Sequence, residues 1–171
     1  EKYPEAELYW YYGWQTYDNY NEGNPERMAF RDEIKELLKQ PGVFEGGRIS
    51  HQEIAKEMAS SDLWVYPTEF FETSCISAMK AQALGAVPVV TNFGALKETV
   101  FTGQKVESDN IYTDEKAQEE WIDKLGFARN ENRDKMKAEA KSRFSWDTIV
   151  DGWEKEFYVN RNNSSESSSP E

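Results

Sequence analysis

Two short apolar runs constrain this chain most: Leu63 to Tyr66 (LWVY) and Val87 to Thr91 (VPVVT). A strand that is apolar at every position is covered on both faces, as strands of a parallel sheet are. Pro67 closes the first run, and the stretch between the two has helical texture from Thr73 or Ser74 to Leu84, stopped by Gly85. Strand, crossover helix and strand in that order build a right-handed parallel unit. The predicted fold class is therefore α/β, a Rossmann-like parallel sheet flanked by helices, with helical C-terminal elements.

The segments before this unit repeat the alternation. Ala6 to Tyr12 (AELYWYY) reads as a buried aromatic strand, and Trp14 to Asn24 as a polar, aromatic loop. Asn24 is placed as N-cap with Pro25 at the first helical position. The helix they open has an expected apolar face of Met28, Phe30, Ile34, Leu37 and Leu38, and Pro41-Gly42 ends it. Val43 to Gly46 is a strand candidate. Ser50 and Glu53 have capping-box spacing for a helix through about Met58. After the second apolar run, Ala95 to Phe101 reads as a short helix. Thr113 to about Leu125, Asn130 to Arg143 and Ser145 to Tyr158 follow as helices, the last with Trp146, Ile149, Val150, Trp153 and Phe157 on one side. Residues 1–158 thus read as one domain, and 159–171, ending in NNSSESSSPE, as a disordered polar tail.

Composition narrows the function. The 171 residues carry 32 acidic and 20 basic side chains, a formal charge of −12. Such a chain repels polyphosphate backbones, so no nucleic-acid partner is expected. No stretch approaches the roughly 18 apolar residues of a membrane span. A lone cysteine, Cys75, fits a reducing, cytoplasmic setting, and a lone histidine, His51, gives no multi-histidine metal site. No metal and no cofactor are expected. Glu1 in place of an initiating Met reads as a fragment or a processed product.

Parallel sheets bind ligands beyond the carboxyl ends of their strands. The loop after LWVY runs Pro67-Thr68-Glu69-Phe70-Phe71-Glu72-Thr73-Ser74 into a helix. A helix N-terminus offers unpaired N–H groups and positive potential to a phosphate. The small Thr73, Ser74 and Cys75 allow close approach, and Glu72 can accept hydrogen bonds from sugar hydroxyls. The plainer alternative is that Thr73 only caps the helix and Glu72 only complements its dipole.

The stretch WVYPTEFFETSCISAMKAQALGAVPVVTNFGALKETV resembles the donor-site signature of glycosyltransferase family 4, also called glycosyl transferases group 1. The segment upstream is similar to the preceding part of the same domain, and FSWDTIVDGWEKEF to the family's C-terminal helix, so the resemblance covers roughly residues 3–158. It implies the C-terminal half of a GT-B fold, lacking its first strand. The implied enzyme is metal-independent, usually retaining and hexosyltransferase-like, and uses a UDP-, GDP- or ADP-linked sugar. Its acceptor-binding N-terminal domain is missing here. With catalysis in the cleft between two domains, this chain alone is expected to be inactive.

In that family a Glu, seven intervening residues and a second Glu mark the donor site, the first usually facing the sugar and the second the ribose. Glu72 holds the first position; Lys80 holds the second. An ammonium only donates, whereas ribose hydroxyls paired with a carboxylate need an acceptor. Weakened donor binding, a retuned nucleotide contact and an incidental substitution all remain open for Lys80. The resemblance also places Gly94 and Ala95 in the donor pocket, Glu98 less so. Arg48, in a sheet-end loop, is a nucleotide-contact candidate set against a surface ion pair. Cys75 has no visible base to activate it as a nucleophile, and His51 reads as a helix-start residue. Of the aromatic cluster, Tyr9 to Tyr12 read as core and Trp14 as a candidate sugar-stacking ring. The rival class is a non-catalytic binding or scaffold module that keeps the fold without donor turnover.

Overall fold

The computed structural model describes residues 2–165, with side chains as far as Tyr158. The chain divides into two compact units, Glu1–Ile54 and Ala55–Glu171. The five strands pair in two separate parallel sheets, where the sequence pattern suggests one.

In the first unit, β1 (Leu8–Trp10), α1 (Trp14–Asn21), α2 (Pro25–Leu37) and β2 (Val43–Glu45) lead into α3 (His51–Ser60), which carries the chain into the second. Strands β1 and β2 pair with Leu8 opposite Val43 and Tyr9 opposite Phe44. The last two rings stack at 4.9 Å, as facing residues of neighbouring strands can. The Asn24 side chain accepts from the Arg27 amide at 3.1 Å, with Pro25 at the first helical position, as expected. Ser50 and Glu53 form the reciprocal capping box, at 2.9 and 3.2 Å. The Ser50 hydroxyl, and after it the Ser50 amide, hold the Glu53 carboxyl below its ordinary value.

Three expectations fail in this unit. Helix α1 stands where a loop is predicted. Its N-cap, Gly13, provides no side-chain bond, so no capping signal announces it; it is docked on α2 by Arg31–Asp18 at 2.9 Å and by the Tyr17 hydroxyl donating to the Arg27 carbonyl at 3.0 Å. Strand β1 is not buried: Leu8, Tyr9 and Tyr12 are exposed and Trp10 and Tyr11 half-buried, because the rings pack against one another instead of entering a core. Helix α2 buries only Leu38, at its C-cap. Met28, Arg31, Lys35 and Leu38 form the inward stripe at helical spacing with Ile34 at its border, while Phe30 and Leu37, seven residues apart, lie on a side that stays exposed.

The second unit contains β3 (Leu63–Tyr66), α4 (Ile76–Leu84), β4 (Val87–Thr91), α5 (Leu96–Thr99), β5 (Gln104–Val106), α6 (Glu115–Ala128), α7 (Arg133–Phe144) and α8 (Trp146–Ser165). Its sheet has the order β3-β4-β5, all parallel. All five residues of β4 are buried. Alternation along the strands sends side chains to two faces. Val90, Trp64 and Tyr66 join Cys75, Ala78, Leu96 and Val100 in one core. Val87, Val89, Leu63 and Val65 join Ala128, Met136 and Trp121 in the other. This is the two-faced burial that the apolar runs predict, complete in β4 and partial in β3, whose four residues are half-buried.

Buried Gln82 fixes the crossover. Its amide donates to Thr99 O at 2.8 Å and Ala78 O at 3.0 Å, and its oxygen accepts from Phe101 and Thr102. Strand β5 is absent from the sequence reading, since Gln104 and Lys105 give it no apolar pattern. Gly103 admits it: at φ 130°, a Cβ there would lie 2.4 Å from the Pro88 carbonyl oxygen.

Helices α6 and α7 start later than predicted, where Asp114 and Asn132 accept from the Ala117 and Lys135 amides at 3.1 and 3.0 Å. Helix α8 continues past Tyr158 to Ser165, into the segment read as tail, and residues 166–171 lie outside the described residues. Trp146, Val150, Trp153 and Phe157 on α8 are exposed. Among the described residues no helix is long and apolar enough to cross a membrane.

Candidate donor site

The carboxyl ends of β3 and β4 are tied together by a buried pair of threonines. The Thr91 hydroxyl donates to Thr68 O at 2.6 Å and accepts from the Thr68 amide at 3.3 Å, both residues being buried. The Thr68 hydroxyl accepts in turn from the Phe70 amide at 3.0 Å. The loop that follows is pinned further out by Glu69, which accepts from the Tyr112 amide at 2.7 Å.

Glu72 sits at the centre of this loop. Its carbonyl accepts from the Ala95 amide at 2.8 Å, joining the loop after β3 to the loop after β4. Gly94 makes the approach possible. It lies at φ 53°, and a Cβ on it would stand 2.9 Å from both the amide nitrogen and the carbonyl oxygen of Glu72, so any other residue is strained and too close. The half-buried Glu72 side chain accepts from the Tyr66 hydroxyl at 2.9 Å. Burial raises the Tyr66 phenol above its ordinary value; the Glu72 carboxylate adds to this and the Thr68 hydroxyl opposes it.

Helix α4 begins at Ile76, with Cys75 as its N-cap, and not at Thr73 or Ser74. The contacts to Thr68, Gly94 and Ala95 hold the loop in a non-helical path that long. Thr73 and Ser74 are exposed in this lead-in. Cys75 is buried in the core beneath it. Burial is the largest influence on its thiol and, with the Glu72 charge adding, pushes it up, against the opposing amides of Ala78 and Ser77. A thiol held protonated is a poor nucleophile. No side-chain bond from Cys75 caps α4; the Cys75 carbonyl accepts from the Ala78 and Met79 amides at 3.1 and 3.3 Å.

The predicted residues therefore separate into groups. Glu72, Gly94 and Ala95 are in direct contact, with Cys75 directly below. Lys80 lies one turn into α4 on its exposed side, together with Ile76 and Ser77, while Ala78, Ala81 and Gln82 form the buried side. Arg48 belongs to the first unit, where its exposed side chain lies against Gly13. Trp14 is engaged within that unit, donating to Glu45 at 2.8 Å and meeting Tyr12 edge-on at 5.0 Å. His51 is the exposed first residue of α3.

Sequence reasoning misses Tyr66, Thr68 and Thr91. Tyr66 reads as one more apolar position of LWVY, although as the last residue of a strand its hydroxyl can reach the loop beyond. At the opposite end of the sheet, a cavity of about 130 Å³ is lined by Asp62, Val87, Ala128, Arg129 and Arg133. There Arg133 is committed to structure, donating to Gly85 O, Ser61 O and Asp62, each at 2.8 Å. Among the described residues no three His, Cys, Asp or Glu side chains group as a metal site requires.

A parallel sheet carrying a fixed carboxylate at its carboxyl edge, just ahead of a helix N-terminus, defines a Rossmann-like α/β domain with a polar ligand edge. The family of glycosyl transferases group 1 matches the chain over residues 22–143, more than half its length, and the chain belongs to that family. Sugar transfer, with a nucleotide-sugar donor and a sugar acceptor, is the activity this membership implies. No curated protein matches the chain.

Proposed function

We propose that this chain is the donor-binding domain of a metal-independent, retaining glycosyltransferase of family 4, with Glu72 on the donor sugar and the N-terminus of α4 on the diphosphate. One observation carries the reading. The Glu72 carboxylate is held by the Tyr66 hydroxyl, and its backbone by the Ala95 amide and the close approach of Gly94, just before a helix start without a side-chain cap. A carboxylate accepts from hydroxyls of the sugar, and unpaired amides with the helix dipole favour the diphosphate.

During transfer the bond from the anomeric carbon to the diphosphate oxygen breaks and a bond to the acceptor oxygen forms. The electron pair leaves with the diphosphate, which takes up the proton that the acceptor hydroxyl loses. Fixed dipoles at the leaving group lower the barrier because they need no reorganisation as charge develops. In this reading Thr73 and Ser74 line the approach to α4, with Cys75 buried beneath them, and Gly94 and Ala95 form the opposite wall. The partner is a UDP-, GDP- or ADP-linked sugar, and turnover requires an N-terminal acceptor domain. A cytoplasmic setting fits the single free cysteine, which is buried.

Lys80 favours a second reading, a degenerate module that keeps the fold without turning over a donor. Calorimetric titration of the native chain and of Lys80→Glu with UDP, GDP and ADP decides between them. Recovery of a ribose acceptor is expected to tighten one nucleotide by roughly tenfold, the equivalent of one hydrogen bond of about 1–1.5 kcal/mol. Equal affinity of the two proteins removes Lys80 as a lesion. Failure of both to bind any nucleotide counts against the donor site in this chain.

A further inference from the structure

We propose that Tyr66 is a positioning residue for Glu72, holding one carboxylate oxygen so that the other is presented to a hydroxyl of the donor sugar. The inference rests on the donor-site reading and adds to it the residue that fixes the sugar contact. Tyr66 ends β3, its ring packs against the core of Cys75, Ala78, Val90, Leu96 and Val100, and Trp64 lies against it at 5.3 Å. From that anchored ring the hydroxyl donates to Glu72 Oε1 at 2.9 Å.

A glutamate on a loop otherwise samples several rotamers, and a ligand that needs one of them loses affinity in selecting it. Here the backbone of Glu72 is fixed by the Ala95 amide and by its own amide donating to Phe70 O at 2.9 Å. Tyr66 completes the arrangement by fixing the end of the side chain. A phenol suits the task because it donates while neutral, and its surroundings keep it protonated beyond the ordinary range. The remaining oxygen, Oε2, is the acceptor offered to the sugar. Neither the bare nucleotide nor its phosphates need it.

The test separates sugar from nucleotide. The full chain, native and Tyr66→Phe, is titrated with UDP and UDP-glucose, GDP and GDP-mannose, and ADP and ADP-glucose. The readout is the ratio of sugar-nucleotide to nucleotide affinity. Phenylalanine keeps the ring and its packing, so Tyr66→Phe should lower that ratio roughly tenfold and leave the nucleotide affinity unchanged. Glu72→Gln should lower it as well, and the double variant should lose less than the two losses combined, as coupled groups do.

A ratio preserved in Tyr66→Phe overturns the positioning role and leaves the donor site standing. A native chain that binds no sugar-nucleotide overturns the donor reading, and this inference with it. The hydrogen bond has its own readout in ¹³C NMR of labelled tyrosine. Glu72→Gln should lower the titration midpoint of the Tyr66 phenol, and an unmoved midpoint overturns the contact whatever the ligands do.

Discussion

The two units solve the same problem with unequal means. In the second, β4 is buried along its whole length and separates two apolar cores. In the first, Leu38 is the only described residue that is buried and hydrophobic. The first unit is held instead by stacked rings, helix caps and the Arg31–Asp18 pair. Parallel strands alone therefore do not make a core; side chains must leave the sheet on both faces and find helices there.

The contrast is broken most sharply by truncating the cores. Leu96→Ala or Met136→Ala removes a fully buried side chain and should cost about 2–5 kcal/mol in denaturant unfolding. Phe30→Ala in the first unit, at an exposed ring, should cost under about 1 kcal/mol. Equal losses would mean that the first unit has a core of its own.

Gly94→Ala comes next. Its Cβ would enter the Glu72 backbone at a positive φ, so a loss of about 1–3 kcal/mol is expected, together with weaker sugar-nucleotide binding. The same denaturant series and a calorimetric titration check both effects. Asn24→Ala removes the cap of α2 and should cost about 1 kcal/mol, read as lower helicity and an earlier midpoint.

The smallest effect is a dependence on pH. Glu53 has a lowered folded value, so its contribution is present above the ordinary 4.5 and is lost as pH falls through the folded value. Tyr66 and Cys75 have raised values. Their contributions are present below the ordinary 10.0 and 9.0 and are lost as pH rises through the folded values. In melts followed against pH, Glu53→Gln should flatten part of the acid limb, and Tyr66→Phe part of the alkaline limb.

Legibility in the sequence follows the same division. LWVY and VPVVT announce β3 and β4 because two-sided burial leaves no polar position in a strand. The Asn24 cap and the Ser50–Glu53 box are local chemistry, and both form as the spacing predicts. Helix α1 and β5 escape because their support is distant: Arg31 and the Arg27 carbonyl dock the first, and close approach to Pro88 admits the second. At the site, Glu72, Gly94 and Ala95 come together through the Ala95 amide and the close approach of Gly94. The start of α4 shifts from Thr73 or Ser74 to Ile76 because Thr68 and the Gly94–Ala95 turn hold the intervening loop, a constraint that reaches across the sheet. The Tyr66 hydroxyl escapes for a different reason: an apolar pattern conceals the one polar atom at its end.

The location of the donor site is tested most directly by ¹⁵N NMR of the native chain during titration with sugar-nucleotides at millimolar concentration. The amides of Glu72, Ile76, Ser77, Gly94 and Ala95 should shift together and saturate with one affinity. Shifts confined to the amides of Asp62, Val87, Arg129 and Arg133 at the opposite end of the sheet would contradict the account.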